Sequence, residues 1–164
     1  LRIPLGACIL APSPTGGGLP ARGMSVVVGQ QAADNARQGW GSVLIYTATQ
    51  QPEKIVALEK NGATVMVLPN QNGQVDLPAM LKDLAQRDIN EVLVEAGSIL
   101  NGALLRAGLV DELVLYLAPQ LLGDVARGMA NLGELTQLDQ RVELQWQDVR
   151  QVGNDLRIVA KVLT

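Results

Sequence analysis

The feature that most constrains this fold is an alternation running from Ser42 to Gly108. Three short apolar runs, "SVLIYTA", "ATVMVLP" and "INEVLVEA", carry the β-branched residues of buried strands. Between and after them stand segments with helical spacing. In "QPEKIVALEKNG", Pro52 suits a first helical turn, Ile55 and Leu58 share a face, and Gly62 is a stop. In "DLPAMLKDLAQRD", Asp76 is the cap, and Leu77, Met80, Leu81 and Leu84 form the apolar stripe. "GSILNGALLRAG" is a third helix that ends at Gly108. Strand, helix, strand, helix, strand, helix is the order of parallel βαβ units with right-handed crossovers.

After "DELVLYLAP", Asp111 to Pro119, the rhythm changes. "QLLGDVARGM" reads as a loop or a short turn of helix. "RVELQWQDVRQVGNDLRIVAKVL" reads as two alternating strands around "GND", a hairpin. The expected sheet is mostly parallel with an antiparallel edge at its C-terminal end. Residues 41–164 carry this pattern clearly and residues 1–40 do not. "LRIPL" suits a strand, with Pro4 confining it to an edge or a strand end. "APSPTGGGLPARG" is a Pro/Gly-rich linker, and "MSVVVGQQAADNARQGW" suits a short strand and then a polar helix. The 164 residues suffice for one domain with a real core.

Composition narrows the chemistry. The chain has no histidine, which removes Ser-His and Cys-His nucleophile pairs and the commonest metal ligand, so no metal site is expected. The single cysteine, Cys8, excludes an internal disulfide, has no activating neighbour in sequence, and fits a reducing cytoplasm. A net charge of −3 argues against a nucleic-acid phosphate binder. No apolar run reaches the roughly 18 residues that suggest a membrane span. Phe is absent, so the core is aliphatic. Any reaction here uses carboxylates, Lys, Tyr or hydroxyls, or is carried by a cofactor.

The candidate site is "VLVEAGSILNGALLRAG", Val92 to Gly108. A strand expected to be central ends in a carboxylate, Glu95, and Gly97 and Ser98 open the next helix. Ligands of open α/β sheets bind outside the carboxyl ends of the strands. A helix N-terminus offers free N–H groups to a phosphate, and Gly97 bares the backbone to it. Gly102, a turn later, allows close packing. Two readings stand side by side: a phosphate at Gly97 to Ala103 with Glu95 near the ligand's polar part, or glycines that serve tight strand-to-helix geometry with Ser98 as a plain cap. A carboxylate ending an apolar strand costs desolvation unless it finds a partner.

Other candidates have plainer readings beside the functional ones. Thr47 and Thr49 end the first strand, to meet a ribose or phosphate or to cap a turn. Arg127, in a Gly-bounded loop, clamps an anion or is a solvated surface residue. Asp111 and Glu112 read as a polar strand entry, and Trp146 as core.

The run "VLVEAGSILNGALLRAGLVDELVLYLAPQLLGDVARGM", Val92 to Met129, resembles the reductase domain of the bacterial bifunctional riboflavin-biosynthesis deaminase–reductases, the RibD-like family. The acid–Ala–Gly step, "AGLVDEL", "APxLLG" and "ARG" come in order and at the family's spacing. The resemblance extends more loosely over Ser42 to Leu163. It implies an α/β, three-layer dihydrofolate reductase-like fold, with a mostly parallel central sheet flanked by helices and a C-terminal antiparallel hairpin. It implies NADPH-dependent reduction of the ribosyl group of 5-amino-6-(5-phosphoribosylamino)uracil to ribityl, in a cytoplasmic dimer. By the same resemblance Glu95 matches a substrate-contacting position. Gly97, Ser98, Ile99, Leu100, Asn101, Gly102 and Ala103 match the NADP(H)-binding turn and helix start. No general acid is implied.

The sequence also departs from the family. "LRIPLGACILAP" lies on the family's "LRVVLDSxLRxP" strand with Gly6 for the Asp, Ala7 for the Ser and Leu10 for the Arg. Gln120 replaces a common Lys. The first strand and the "GxxTxxxDxPxL" region have no counterpart. These departures imply the C-terminal part of such a reductase with a foreign N-terminal segment, and an exposed sheet edge that favours self-association. Two alternatives follow: a folded, dimerising module without turnover, or another small-molecule reductase of the same superfamily.

Overall fold

The structure, a computed structural model, describes residues 4–8, 26–29, 43–123 and 125–163. The chain divides into two compact units, one drawn from Leu1–Thr15 and Leu84–Thr164, the other from Gly16–Asp83. The linker "APSPTGGGLPARG" and the expected polar helix before Trp40 lie outside the described residues.

The Gly16–Asp83 unit holds a three-stranded sheet in the order β2 (Val26–Gly29), β3 (Val43–Thr47), β4 (Ala63–Val67). β3 and β4 are parallel, joined by α1 (Pro52–Lys60) with Pro52 in its first turn, the βαβ unit read from the sequence. β2 runs antiparallel to β3. Leu44, Ile45, Tyr46, Val75, Met80 and Leu81 are its buried core, while α1 buries none of its residues and leaves Leu58 exposed. The Tyr46 hydroxyl donates to Asp83 Oδ2 at 2.7 Å, tying β3 to α2 (Leu77–Gln86). Asp76 caps α2 as expected, its Oδ1 accepting the Ala79 N–H at 2.9 Å. Leu77 is only half-buried, so the stripe of α2 rests on Met80, Leu81 and Leu84. Beyond α2 the Ile89 N–H returns to the Leu84 carbonyl and the Asp88 N–H to that of Ala85, a Schellman closure with Asp88 at a φ of 61°.

The other unit holds a five-stranded sheet in the order β5 (Val94–Glu95), β1 (Pro4–Cys8), β6 (Glu112–Leu117), β8 (Asp155–Leu163), β7 (Glu143–Val152). β1 is parallel to both β5 and β6; β8 is antiparallel to β6 and to β7. Leu104, Leu105, Val110, Leu113, Val159, Ala160 and Val162 are buried here. The C-terminal hairpin turns on Gly153 and Asn154, with Gly153 at a φ of 61°. A glycine first with positive φ is the pattern of a type II′ turn, whose twist matches that of paired strands.

Three expectations change. β1 is no edge strand, because β5 and β6 flank it; Pro4 is its first residue, where a missing N–H is tolerated. "INEVLVEA" yields only the two-residue β5, at the end of the strand order rather than its centre among the described residues. β1 takes the central position that the apolar run suggested for residues 92–95. Trp146 is 61% exposed on β7 rather than part of the core. It sits at a bulge between Trp146 and Asp148 on the last strand of the order, with no further described strand to cover it.

Candidate functional site

Glu95 closes β5, in register with Gly6 of β1. Its side chain is exposed, so the expected desolvation cost is absent, and the carboxylate faces solvent beside the start of α3 (Ser98–Arg106). The helix begins one residue earlier than a serine cap requires. Gly97 is the N-cap, with φ −77° and ψ 168°, and Ser98 is the first helical residue. No side chain caps this end; the first return bond is the Asn101 N–H to the Gly97 carbonyl at 3.1 Å. The N–H groups of Ser98, Ile99 and Leu100 precede that bond and belong to the turn that a helix leaves unsatisfied.

The two glycines of this stretch have different physical reasons. At Gly97 the backbone is extended, which any residue adopts, and a Cβ added there meets nothing within 4 Å. Neither conformation nor packing demands glycine, so the tight-geometry reading does not account for it. At Gly102 a Cβ would stand 1.9 Å from the carbonyl oxygen of Asn131, in the chain segment that crosses α3. Close packing accounts for Gly102 fully.

That segment is fastened along the helix. The Asn131 N–H donates to the Ser98 carbonyl at 2.8 Å, and Arg106 Nη1 donates to the Asn131 carbonyl. Asn101 is 2% exposed; its Nδ2 donates to the Met129 carbonyl at 2.9 Å and the Ala96 carbonyl at 3.2 Å. Asn101 Oδ1 has no partner among the described residues. At its far end α3 closes in a Schellman motif, with the Leu109 N–H on the Leu104 carbonyl and the Gly108 N–H on that of Leu105, as Gly108 takes a φ of 64°.

The eight residues singled out from the sequence thus separate by position. Glu95, Gly97 and Ile99 are exposed; Ser98, Leu100 and Ala103 are half-buried; Asn101 and Gly102 lie buried against the crossing segment. Met129, Asn131 and Arg106 were not foreseen. The signal for them was a glycine inside a helical pattern, which marks a close approach without naming what approaches. Arg127 is exposed two residues before Met129. Thr47 and Thr49 belong to the other unit, where the Thr49 N–H donates to Thr47 Oγ1 at 3.2 Å, a turn cap. Asp111 carries the strand entry, its carbonyl accepting the Val162 N–H at 3.0 Å. No group of three or more His, Cys, Asp or Glu that could hold a metal occurs among the described residues.

An uncapped first turn, open space at Gly97 and an exposed carboxylate beside it fit the phosphate and polar parts of a nucleotide. Comparison with known proteins points the same way. Residues 18–158 match the RibD C-terminal domain family. The chain is 43% identical over 91 residues to the riboflavin biosynthesis protein RibD of Escherichia coli, which covers 56% of this chain and 25% of that protein. It is 33% identical over 96 residues to the 5-amino-6-(5-phosphoribosylamino)uracil reductase of Buchnera aphidicola, covering 58% of this chain and 46% of that one. The structure of Acinetobacter baumannii RibD superimposes with a TM-score of 0.58 at 28% identity, over 70% of this chain and 30% of that one. The α/β fold is dihydrofolate reductase-like, as in these reductase domains. The chain spans a quarter to a half of the length of these curated relatives.

Proposed function

The chain belongs to the RibD C-terminal domain family, and from that premise we propose that it is the reductase part of a riboflavin-biosynthesis enzyme. In this reading it takes 5-amino-6-(5-phosphoribosylamino)uracil and NADPH and yields the ribityl product. The observation that carries the reading is the start of α3: an N-terminal turn without a side-chain cap, opened by a glycine that neither φ nor packing requires. The N–H groups of that turn and the positive end of the helix dipole suit a phosphate. Gly97 keeps the approach clear. Glu95 accepts hydroxyl hydrogens of the sugar from the solvent side of β5. Asn101 and Gly102 hold the crossing segment behind the turn. The bound nicotinamide supplies the hydride, and the protein supplies position and field.

The same reading makes the protein a cytoplasmic homodimer. No helix among the described residues is long and apolar enough to cross a membrane.

Titration of the protein with NADPH, followed by its fluorescence, and chromatography of the pyrimidine after incubation with NADPH test the proposal. Saturable binding and a ribityl product are expected. Saturable binding with no product from this pyrimidine, but NADPH oxidation with a different carbonyl compound, would assign another substrate. No binding at millimolar NADPH would overturn the reading.

A further inference from the structure

The segment that crosses α3 has a direction. Asn131 lies at the level of Ser98, Gly102 and Arg106, while Met129 lies at the level of Asn101 and, through its amide, of Ala96. Going backwards from Asn131 to Met129 therefore means moving along α3 toward its N-terminus. Continuing backwards by two residues, at most about 7 Å of chain, reaches Arg127. On its other side the Ala126 N–H closes a turn onto the Gly123 carbonyl at 2.9 Å. Arg127 is thus an exposed guanidinium held between a closed turn and a fastened segment, at the end of α3 where the first-turn N–H groups are uncapped.

A second observation concerns the same junction. The Asn101 amide spends Nδ2 on the Ala96 and Met129 carbonyls, the two segments that meet at the helix start, and leaves Oδ1 without a partner at 2% exposure. A buried acceptor left open costs free energy until a donor fills it. A phosphorylated sugar brings both complements, an anion and hydroxyl donors.

We infer that Arg127 clamps a phosphate ester at the N-terminus of α3, with Asn101, Gly102 and Asn131 as the device that delivers it. This rests on the function proposed above and adds a residue of opposite charge to the backbone donors. A planar guanidinium binds phosphate through paired hydrogen bonds, which a lysine does not reproduce. The phosphate belongs either to the cofactor or to the phosphoribosyl substrate, and the test separates these sources.

The experiment measures binding of NADPH by fluorescence and of ribose 5-phosphate by calorimetry, for the unaltered chain, Arg127→Gln and Arg127→Lys, at low and high salt. The expected result is a loss of about 10- to 100-fold in affinity for one of the two probes in Arg127→Gln. Arg127→Lys should fall between, and the salt dependence should be shallower in Arg127→Gln. The probe that weakens identifies the source. Because Arg127 is exposed, thermal melts of the three proteins should coincide. If the unaltered chain binds and Arg127→Gln binds both probes equally well, the inference falls while the proposed function stands. If the unaltered chain binds neither probe, both fall.

Discussion

A Cβ on Gly102 would come within 1.9 Å of the carbonyl oxygen of Asn131, and 2.5 Å of its carbonyl carbon. Both neighbours are backbone, and both are pinned, since the Asn131 N–H is bonded to Ser98 and its carbonyl to Arg106. Gly102→Ala should therefore destabilise the protein by about 1–3 kcal/mol through overpacking, against a gain in helix propensity of about 1 kcal/mol at most. Chemical denaturation checks this; a variant as stable as the parent would mean that the crossing segment yields freely.

Gly97→Ser tests the other glycine in the opposite sense. A serine at this N-cap can accept from a first-turn N–H, so stability should rise by a few tenths of a kcal/mol, roughly 0.3. NADPH affinity should fall, since the side chain takes donors and space that the phosphate would use. A melt and a fluorescence titration of the same sample give both readouts. A variant that is more stable and binds undiminished would refute the assignment of the phosphate to this turn.

Asp88 holds a left-handed conformation at the closure of α2, with φ 61°. Asp88→Gly should stabilise the protein by about 0.5–1 kcal/mol by relieving that strain. The effect is read from the denaturation midpoint at unchanged slope. No change would mean that the aspartate side chain compensates locally.

The Tyr46 hydroxyl is fully buried and donates to Asp83 at 2.7 Å. Tyr46→Phe keeps the ring and removes the donor, so it should cost about 0.5–1.5 kcal/mol. NADPH binding should be unaffected if the phosphate lies at the start of α3. Loss of binding would place a ligand-sensitive element in the Gly16–Asp83 unit.

The helices were readable because their signals are local. Pro52 at a first turn, Asp76 as a cap and Gly108 as a stop each act within a few residues. The hairpin was readable for the same reason, from Gly153. Strand order was not, because it depends on partners distant in sequence. The run before Glu95 is apolar enough for a central strand, yet β1 takes the position beside β6 and leaves Glu95 exposed. Trp146 failed for a related reason: an aromatic residue on an alternating strand has two faces to choose from, and the sequence does not say which face another element covers. At the candidate site, the stretch Glu95 to Ala103 was visible as a unit. The division between an open front and a packed back required knowing that residues 129–131 cross it.

The placement of β1 has a consequence for the order of folding. Leu5 pairs with both Val94 and Leu113, so the two strands on either side of the candidate site are joined only through the beginning of the chain. Such pairings close long loops and form late, because the entropy of closure is spent before the contacts repay it. The β7–β8 hairpin and its junction with β6 are more local and can assemble first. The strand that carries Glu95 then waits for the earliest residues synthesised to be captured by the last ones, and the site acquires its shape at the end of the process.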